Sequence, residues 1–351
     1  MIRLSRPHRD ARRRIKHTIE YGLPSVIEVP APSHIRNTEW FRDAKLGDIL
    51  QVYALPCYKI EKYSGKLMPA LGILELDEKE GKFDDGPVVI IPSSGNFVKD
   101  FAAIAMTSRI REVFAILNYG TGAGKLNHVE VSGAKIRIAP KNMPATDYAF
   151  EMAQEHGGIL INQYTHEGSI VGHKPTMNHI IREMMRVEGQ AGFIFGAVTG
   201  TCSTLAAAHR YLRGNVPGNV KIMGVASMSE SEKIPAARTL EEIGQLKAMG
   251  GFSHRPEWKG VLDFELVTSV TRREAFALNG ERYRETALGV GPTGALLEAG
   301  FYHMLCRSVE RGEIESLRNE RGMITACLLW MDSHLPYIDD LEYRSALIGH
   351  P

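Results

Sequence analysis

Short apolar segments typical of buried β-strands alternate with helix-like segments along most of this chain, and this alternation restricts the folds open to it. Every residue of the run 88–91 (Val-Val-Ile-Ile) is apolar, as in a parallel strand buried on both faces. Repeated strand and helix units predict an α/β protein with mostly parallel sheets flanked by helices. Ligands then bind at the carboxyl ends of the strands. The other predicted strands are 113–117, 133–138, 158–161, 193–195 and 219–225, and helices are predicted at 97–111, at 145–156 and up to Leu212.

The length and charge of the chain exclude several classes of function. Its 351 residues suffice for two lobes with apolar cores, and the formal net charge of +1 favours neither nucleic acid nor a membrane as partner. No apolar run reaches the roughly 18 residues that a membrane span needs. The four cysteines form no CxxC pair and no zinc-binding spacing. We therefore expect reduced thiols, a cytoplasmic location and no metal.

The amino-terminal segment is strongly basic. Its first sixteen residues contain seven arginine or lysine side chains. No apolar stretch follows, which argues against a secretory signal. A transit peptide is the alternative, although Asp10 and the shortage of serine oppose it. We expect a solvated basic terminus.

Three signals, in a fixed order, point to one cofactor. Lys66 precedes Asn96 by thirty residues, and the small-residue segment 200–204 (Gly-Thr-Cys-Ser-Thr) follows much later. A lysine amine forms Schiff bases with carbonyl compounds, including pyridoxal 5'-phosphate (PLP). A turn of small residues that enters a helix can hold a phosphate on its backbone N–H groups. An asparagine between them can bind the ring.

Further motifs make the chain similar to a known family. It resembles the cysteine synthase / cystathionine β-synthase family of PLP enzymes, which share the type II fold with tryptophan synthase β. The resemblance covers roughly residues 19–335, and its motifs occur in the family's order. They are 19–26 (the opening segment), 58–61 (the strand before the lysine), Ser64-Gly65-Lys66 (Ser-x-Lys), 93–96 (Thr/Ser-Ser-Gly-Asn), 162–164 (Asn-Gln-Phe), 200–204 (Gly-Thr-Gly-Gly-Thr) and 291–295 (Ser-Ser-Gly-Ala).

The resemblance implies a two-lobed architecture, with a mostly parallel twisted sheet flanked by helices in each lobe. Residues 1–51 with 169–351 would form the large lobe that binds the PLP phosphate. Residues 52–168 would form a smaller, mobile lobe that carries the Asn/Ser substrate loop. The family also implies a homodimer.

The resemblance assigns the covalent role to Lys66, which would carry PLP as a Schiff base and then move the α-proton of the substrate. Lys99 is its rival, because Val98-Lys99-Asp100 imitates a Val-Lys-Asp sequence of the family. Lys99 lies three residues beyond Asn96, so we expect it to be a solvated helix residue. Asn96 would donate to the ring hydroxyl oxygen; the alternative is an ordinary turn asparagine.

Two further segments would hold the cofactor. Gly200, Thr201, Cys202, Ser203 and Thr204 match the phosphate turn, with a capped helix start as the alternative. Cys202 and Ser203 replace two glycines, and side chains there restrict positive φ, so the phosphate cup could be reshaped.

The resemblance places the Thr293 hydroxyl beside the pyridine nitrogen. A hydroxyl is too weak an acid to keep that nitrogen protonated, so we expect a milder electron sink than in PLP folds that use a carboxylate. The alternative is a threonine that caps a helix.

The substrate carboxylate would lie against the serine loop. Ser93, Ser94 and Gly95 would supply hydroxyl and backbone donors, and Gln163 would add an amide donor. Phe97 stands where the family has a hydroxyl residue, so one donor is lost and a bulky ring is gained.

These roles imply a PLP-dependent lyase or transferase. The expected reaction is β-replacement or β-elimination on a small L-α-amino acid, such as an O-activated serine or a cysteine-type substrate, through an aminoacrylate. The alternative is a catalytically idle PLP-fold protein that acts as a binding or regulatory partner. An NAD-dependent enzyme is disfavoured because the GxGxxG fingerprint is missing.

Overall fold

The computed structural model describes residues 6–59, 64–93, 95–200, 202–228, 266–333 and 344–345. Strands and helices alternate through these ranges, as the sequence predicts. The strands are β1 (Ile27–Glu28), β2 (Leu50–Pro56), β3 (Val88–Pro92), β4 (Glu112–Leu117), β5 (Lys135–Ile138), β6 (Ile159–Leu160), β7 (Phe193–Val198), β8 (Val220–Met228), β9 (Leu266–Thr271) and β10 (Ile324–Trp330).

The helices lie between these strands and before the first of them. Within the described ranges, none is both long enough and apolar enough to cross a membrane. They are α1 (Arg6–Tyr21), α2 (Ser33–Arg36), α3 (Glu39–Asp43), α4 (Leu46–Ile49), α5 (Leu67–Lys79), α6 (Asn96–Ala105), α7 (Ala123–Glu130), α8 (Ala145–His156), α9 (Gly168–Val171), α10 (Lys174–Glu188), α11 (Ser203–Tyr211), α12 (Arg272–Thr286) and α13 (Pro292–Glu310).

The chain divides into two compact units. Unit 1 comprises Met1–Leu23 and Lys59–Thr176, and unit 2 comprises Pro24–Tyr58 and Met177–Pro351. These bounds differ from the lobes expected from the sequence. Residues 1–23 and 169–176 belong to unit 1, and residues 52–58 belong to unit 2. Strand β2 belongs to unit 2 because it pairs along its whole length with β10. Helix α1 belongs to unit 1 through contacts of Arg12 that are given below.

The sheet of unit 1 has four strands in the order β5-β4-β3-β6, all parallel. Strand β3 is buried along its whole length, as its unbroken apolar sequence requires. Helix α8 covers this sheet, and Ala149 and Met152 pack against Val88 and Ile90. A left-handed Gly157 (φ 59°) ends that helix.

The sheet of unit 2 has six strands in the order β1-β2-β10-β7-β8-β9. The pairing of β1 with β2 is antiparallel, and the other pairings are parallel. Trp330 on β10 and Leu297 on α13 belong to its apolar core. The same unit buries an ion pair, in which the Arg282 Nε donates to both Glu298 carboxylate oxygens at 2.7 and 2.8 Å.

The predicted α/β class with mostly parallel sheets is confirmed, whereas two predicted boundaries are wrong. The strand before Lys66 is β2, and Cys57–Lys59 form a 3-10 turn where the resemblance placed a strand. Helix α6 ends at Ala105 and not near residue 111. The Thr107 and Ser108 hydroxyls donate to the carbonyl oxygens of Ile104 and Ala105, which satisfies acceptors of the last turn and stops the helix.

The expectation of a solvated basic terminus is wrong for Arg12, whereas Arg13, Arg14 and Lys16 are exposed. Arg6–Tyr21 form α1, and its Arg12 is only 8% exposed. The Arg12 guanidinium forms an ion pair with Glu78 and donates to the Thr107 carbonyl oxygen at 2.9 Å. One arginine of the basic run is therefore part of the interior of unit 1.

Three glycines allow α5 and α9 to pack backbone against backbone in unit 1. A Cβ atom on Gly72 would lie within 3.0 Å of the backbone of Gly168 and Gly172. A Cβ on Gly168 would meet the Ile73 backbone, and one on Gly172 would meet the Met68 carbonyl. No side-chain rotation can relieve such contacts, because backbone atoms are the obstacle. The closeness of the two helices therefore depends on glycine at these positions.

We predict that Gly72→Ala lowers the free energy of unfolding by about 3 kcal/mol, although alanine favours helix formation over glycine. The cost comes from forcing α9 away from α5. Chemical denaturation monitored by circular dichroism measures it. Gly122→Ala is the control, since Gly122 has φ −64° and a Cβ there would meet nothing within 4 Å. An equally small change in both variants would contradict the prediction.

Candidate active site

Lys66 lies at the amino-terminal cap of α5 and is half-buried. Its turn is fixed by a chain of hydrogen bonds within unit 1. The Lys66 backbone N–H donates to the Ser64 Oγ at 3.1 Å, and the Ser64 Oγ and N donate to the Asp100 Oδ2 at 2.6 and 3.1 Å. A carboxylate from the helix after the serine loop thus holds the lysine turn.

Asp100 is fully buried and also forms an ion pair with Lys99, whose Nζ lies 3.1 Å from its Oδ1. Burial raises the pKa of Asp100 to about 6, although Lys99 and the Ser64 donors pull it down. The Lys99 side chain is only 13% exposed, so the expectation of a solvated lysine is wrong. Its ammonium instead balances the charge beneath the lysine turn.

His173 lies just beyond α9, close to Lys66. Burial, assisted by the charge of Lys66, lowers the pKa of His173 to about 3. The imidazole is therefore neutral at physiological pH and adds no positive charge beside the lysine. The buried Thr176 Oγ1 has no hydrogen-bond partner among the residues the structure covers. The close packing of α5 on α9 brings these groups to the same region of unit 1.

The serine loop and the Gln163 loop follow neighbouring parallel strands, so both lie at the carboxyl edge of the same sheet. Ser93 comes directly after β3, and Gln163 follows β6, which pairs with β3. The Ser93 N–H donates to the Ile116 carbonyl at 3.2 Å, so its hydroxyl is what it can offer to a ligand. The Gln163 carbonyl accepts the Ser169 hydroxyl at 2.7 Å, which fixes that loop. Ser94 is outside the described ranges.

The serine loop leads into α6, whose cap is Gly95 and whose first residue is Asn96. Asn96 is therefore the first residue of a helix and not an ordinary turn asparagine. No side chain caps this helix, and its first turn contains no acid. The next residue, Phe97, is 2% exposed, and its ring centroid lies 6.1 Å from that of Phe101. Phe97 thus anchors the helix start by packing.

The small-residue turn of unit 2 follows β7 and enters α11. Cys202 is the cap of α11 and has φ 56°, the left-handed conformation that glycine favours. Its Sγ donates to the Thr199 carbonyl at 2.9 Å. The side chain therefore does not prevent the positive φ, contrary to what the replacement of glycine suggests. Gly200 precedes this residue, and Thr201 lies outside the residues that the structure describes.

The first turn of α11 has the chemistry of an anion site. It begins with Ser203 and Thr204, contains no acidic residue, and has no side-chain cap. The side chain of the cap residue, Cys202, therefore does not close this helix start. A helix amino terminus with these properties attracts negative charge.

Thr293 lies in the first turn of α13, but the cap of that helix is Gly291. The alternative of a capping threonine is therefore wrong. The Thr293 hydroxyl donates to the Asp332 Oδ1 at 2.5 Å instead. Sequence reasoning missed both Asp332 and Asp100. A signal existed for Asp332, since it is an acid two residues beyond the apolar run of β10, at the carboxyl end of a buried parallel strand.

Comparison with known proteins decides which family this arrangement belongs to. A family model described as "pyridoxal-phosphate dependent enzyme" matches residues 33–316, most of the chain. The chain belongs to that family. The resemblance to the cysteine synthase / cystathionine β-synthase group, and with it the PLP cofactor, is thereby confirmed.

Individual relatives and structures agree with this assignment. The cysteine synthase of Staphylococcus aureus is 25% identical over 181 residues, which is 50% of this chain and 57% of that protein. The chain thus matches little more than half the length of this relative. The crystal structure of O-ureido-L-serine synthase has a TM-score of 0.69 at 18% identity and covers 94% of each chain. An O-acetylserine-dependent cystathionine β-synthase from Helicobacter pylori gives 0.68 at 16% identity, over 94% of this chain and 98% of its own. At these identities the structures establish the type II fold.

The donors present in each unit fit the chemistry of PLP. The first turn of α11 offers hydroxyls and helix N–H groups suited to a phosphate dianion. In unit 1, the half-buried Lys66 lies beside His173, whose lowered pKa keeps it neutral. The histidine therefore adds no positive charge next to the lysine. Among the described residues, the buried Thr176 hydroxyl has no hydrogen-bond partner, so it can bond to a bound group.

We predict a pH-dependent difference in stability between the wild type and Asp100→Asn. Because the pKa of Asp100 is raised to about 6, folding favours its protonated form, and its contribution to stability falls as pH rises from about 4 to 6. The asparagine variant lacks this fall. Denaturant titrations across this range should show the wild type losing up to about 3 kcal/mol relative to the variant.

Asp77→Asn is the matched control for that experiment. Asp77 is equally buried, but hydrogen bonds from His166 and Lys82 outweigh burial and hold its pKa below the ordinary value. Its contribution is therefore constant above pH 4.5 or so and is lost only at lower pH. If Asp100→Asn and Asp77→Asn behave alike between pH 4.5 and 6, the raised pKa of Asp100 is refuted.

We predict that residue 202 tolerates glycine but not a β-branched side chain. Cys202→Val should lower the free energy of unfolding by about 2 kcal/mol or more, because valine strongly disfavours φ near 56°. Cys202→Gly should change it by less than about 1 kcal/mol. Cys327→Val, at a buried cysteine in strand β10, is the control and should stay within about 1 kcal/mol. Equal losses at both sites would mean that volume, and not backbone conformation, sets the cost.

Proposed function

We propose that this protein catalyses β-replacement or β-elimination on a small L-α-amino acid that carries a leaving group on Cβ. The observation that carries the proposal is the placement of Lys66 at the start of α5, on a turn held by Ser64 and Asp100 and beside a neutral His173. Membership of the PLP-dependent family supports it. The resemblance further supports a cytoplasmic homodimer.

Lys66 would hold the cofactor through its amine and, when released, would take the α-proton of the substrate. Proton removal requires a neutral amine. His173 stays uncharged, so it does not repel the Lys66 amine and can lie next to it. Asp100 meanwhile balances the charge of Lys99, which leaves Lys66 as the lysine for the reaction.

Gly200, Thr201, Cys202, Ser203 and Thr204 would hold the phosphate of the cofactor, and Cys202 would supply the left-handed turn that aims backbone N–H groups at an anion. When bound, PLP withdraws electrons from the α-carbon, so that the α-proton and the β-leaving group can depart.

Two side chains would set the ring of the cofactor. Asn96, at the first position of α6, would donate to the ring hydroxyl oxygen. Thr293 would lie at the pyridine nitrogen. Neither role needs a charged side chain in direct contact with the ring.

The start of α6 would bind the substrate carboxylate. Its uncapped first turn provides the N–H groups of Asn96 and Phe97, and the Ser93 and Ser94 hydroxyls and the Gln163 amide would add side-chain donors. Phe97 would act by fixing this helix start, since its ring is buried and its N–H points along the helix axis. Gly95 leaves room there, because a Cβ at that position would meet no atom within 4 Å.

Reduction of the PLP-loaded protein with borohydride, followed by peptide mapping, tests the central assignment. We expect the label on Lys66. Lys66→Ala should lose the label and at least about a hundredfold in turnover, since it removes a general base as well as the attachment point. Lys99→Ala is the control and should keep the label. A label on Lys99, or none, would overturn the proposal.

A mass-spectrometric screen would define the reaction. Serine, O-acetylserine, O-phosphoserine and cysteine would be offered with several thiol and amine nucleophiles. New amino-acid products indicate replacement, and keto acids with ammonia indicate elimination. If PLP is attached at Lys66 but no amino acid alters the visible absorbance, the protein is a binding partner and not an enzyme.

A further inference from the structure

A groove of unit 1 lies between α1 and α5, beside the junction of α9 and α10. Its volume is about 270 Å³. Pockets for drug-sized ligands measure roughly 300–1,000 Å³, so a ligand of this groove must be small. Met68 and Gly172 line it, two positions after Lys66 and directly before His173, but neither Lys66 nor His173 does. The groove is therefore separate from the candidate active site, although it adjoins the same helices.

One end of the groove is charged. The Arg12 guanidinium on α1 pairs with Glu78 on α5. One turn later on α1, the Lys16 Nζ lies 2.5 Å from the Glu75 Oε1, so the two helices run antiparallel. Lys79 follows Glu75 by four positions, which makes the two side chains neighbours on the helix surface. Lys79 is exposed and forms no ion pair within the described ranges. This end therefore offers one carboxylate beside two ammonium groups.

The other end of the groove is apolar. Leu71, one turn before Glu75, lines it together with Val171 and Pro175. Val171 is 40% exposed, so a ligand that covers it removes apolar surface from water. Glu20 follows Lys16 by one turn on the antiparallel α1 and so lies toward this end, where it disfavours a second negative charge on a ligand. A ligand with a polar head and an uncharged apolar tail fits both ends.

We propose that this groove binds a small apolar α-amino acid, such as leucine or methionine, apart from any substrate of the active site. Its carboxylate would pair with Lys79 and its ammonium with Glu75, while its side chain would cover Leu71 and Val171. An α-amino acid carries both charges on one carbon, which suits a glutamate and a lysine one helical turn apart. Glu75 has two oxygens, so it can accept from the ligand while Lys16 keeps its ion pair.

The charge of the groove agrees with a zwitterion. Its lining contains two lysines and two glutamates, so it has no net charge to attract a simple anion or a simple cation. A carboxylic acid without an ammonium group would leave Glu75 without a new partner, and an amine without a carboxylate would do the same to Lys79. The proposal does not rest on the proposed function, because no atom of the cofactor or of a reacting substrate takes part in it.

Isothermal titration calorimetry on the full-length, PLP-loaded protein tests this proposal. The protein is first reduced with borohydride, which fixes PLP to its lysine so that added amino acids cannot react there. We expect L-leucine and L-methionine to bind with one site per chain. Val171→Trp fills the apolar end and should weaken binding about tenfold or more. Val131→Trp, at an 84% exposed position just after α7, is the control and should bind like the wild type.

Three results of that titration would overturn the proposal. They are no binding by the wild type, unchanged binding in Val171→Trp, and an equal loss in the Val131→Trp control. Both positions are exposed, so neither substitution has to be accommodated in the core, and circular dichroism verifies the fold of each variant.

Ligand analogues test the recognition of both charges. 4-Methylpentanoate lacks the ammonium group of leucine, leucinamide lacks its carboxylate, and L-glutamate has an acidic side chain. Each should bind about tenfold or more weakly than leucine, because a charged hydrogen bond is lost or a like charge is added. Lys79→Glu should abolish the preference for leucine over leucinamide. Lys141→Glu, at an exposed lysine outside the groove, should keep it. Equal affinities for leucine and its analogues would refute recognition of a zwitterion.

A second copy of the chain is the competing occupant of this groove. Light scattering separates the two, because a subunit contact here would make Val171→Trp lower the molar mass and would leave no leucine binding in the wild type. That outcome refutes the proposal. Failure of the proposed function looks different, since a missing borohydride label on Lys66 leaves leucine binding and its loss in Val171→Trp unaffected.

Discussion

The placement of Lys66 and His173 in unit 1 depends on direct backbone contact between α5 and α9. Gly72 and Gly172 meet where any side chain would collide with backbone atoms. Lys66 begins the first of these helices, and His173 follows the second, so the distance between lysine and histidine is set by how closely the helices approach. A glycine in a helix interior costs roughly 1 kcal/mol in propensity. The chain accepts that cost because burying the two helices against each other, and the alignment that results, outweighs it.

Each buried carboxylate near the lysine turn is paired with a cation or with hydrogen-bond donors. Asp100 receives the Ser64 donors on one oxygen and Lys99 on the other. In unit 2, Glu298 is neutralised by Arg282 in the same way. Such pairs contribute little to net stability, because desolvation offsets attraction, but removing one partner is costly. They therefore fix geometry, and at Ser64 the geometry that is fixed belongs to Lys66.

The parts of the fold that the sequence predicts are those whose signal is local. Strand β3 is visible because all its residues are apolar, and α8 is visible because Pro144 and Gly157 bound it. The assignment of Lys66 as the candidate Schiff-base lysine follows from the order of the family motifs along the chain. By contrast, Asp100 and Asp332 act on residues 36 and 39 positions away, and no local pattern reports such pairing. They become partners only in the folded chain, where α6 brings Asp100 to Ser64 and the bridge between Val290 and Ser333 brings Asp332 to Thr293.

Cys202 and Ser203, which replace two glycines of the family motif, show that the effect of such a replacement can be judged only from the backbone conformation. Cys202 keeps the left-handed conformation, which costs a non-glycine residue on the order of 1 kcal/mol or more. Its Sγ contact with the Thr199 carbonyl compensates for part of this cost, since the thiol finds a partner inside the turn that a glycine could not supply. A change of residue type therefore leaves the left-handed conformation at residue 202 intact. In an anion site built from backbone N–H groups, such as the one proposed for this turn, the backbone conformation matters more than the side chain at residue 202.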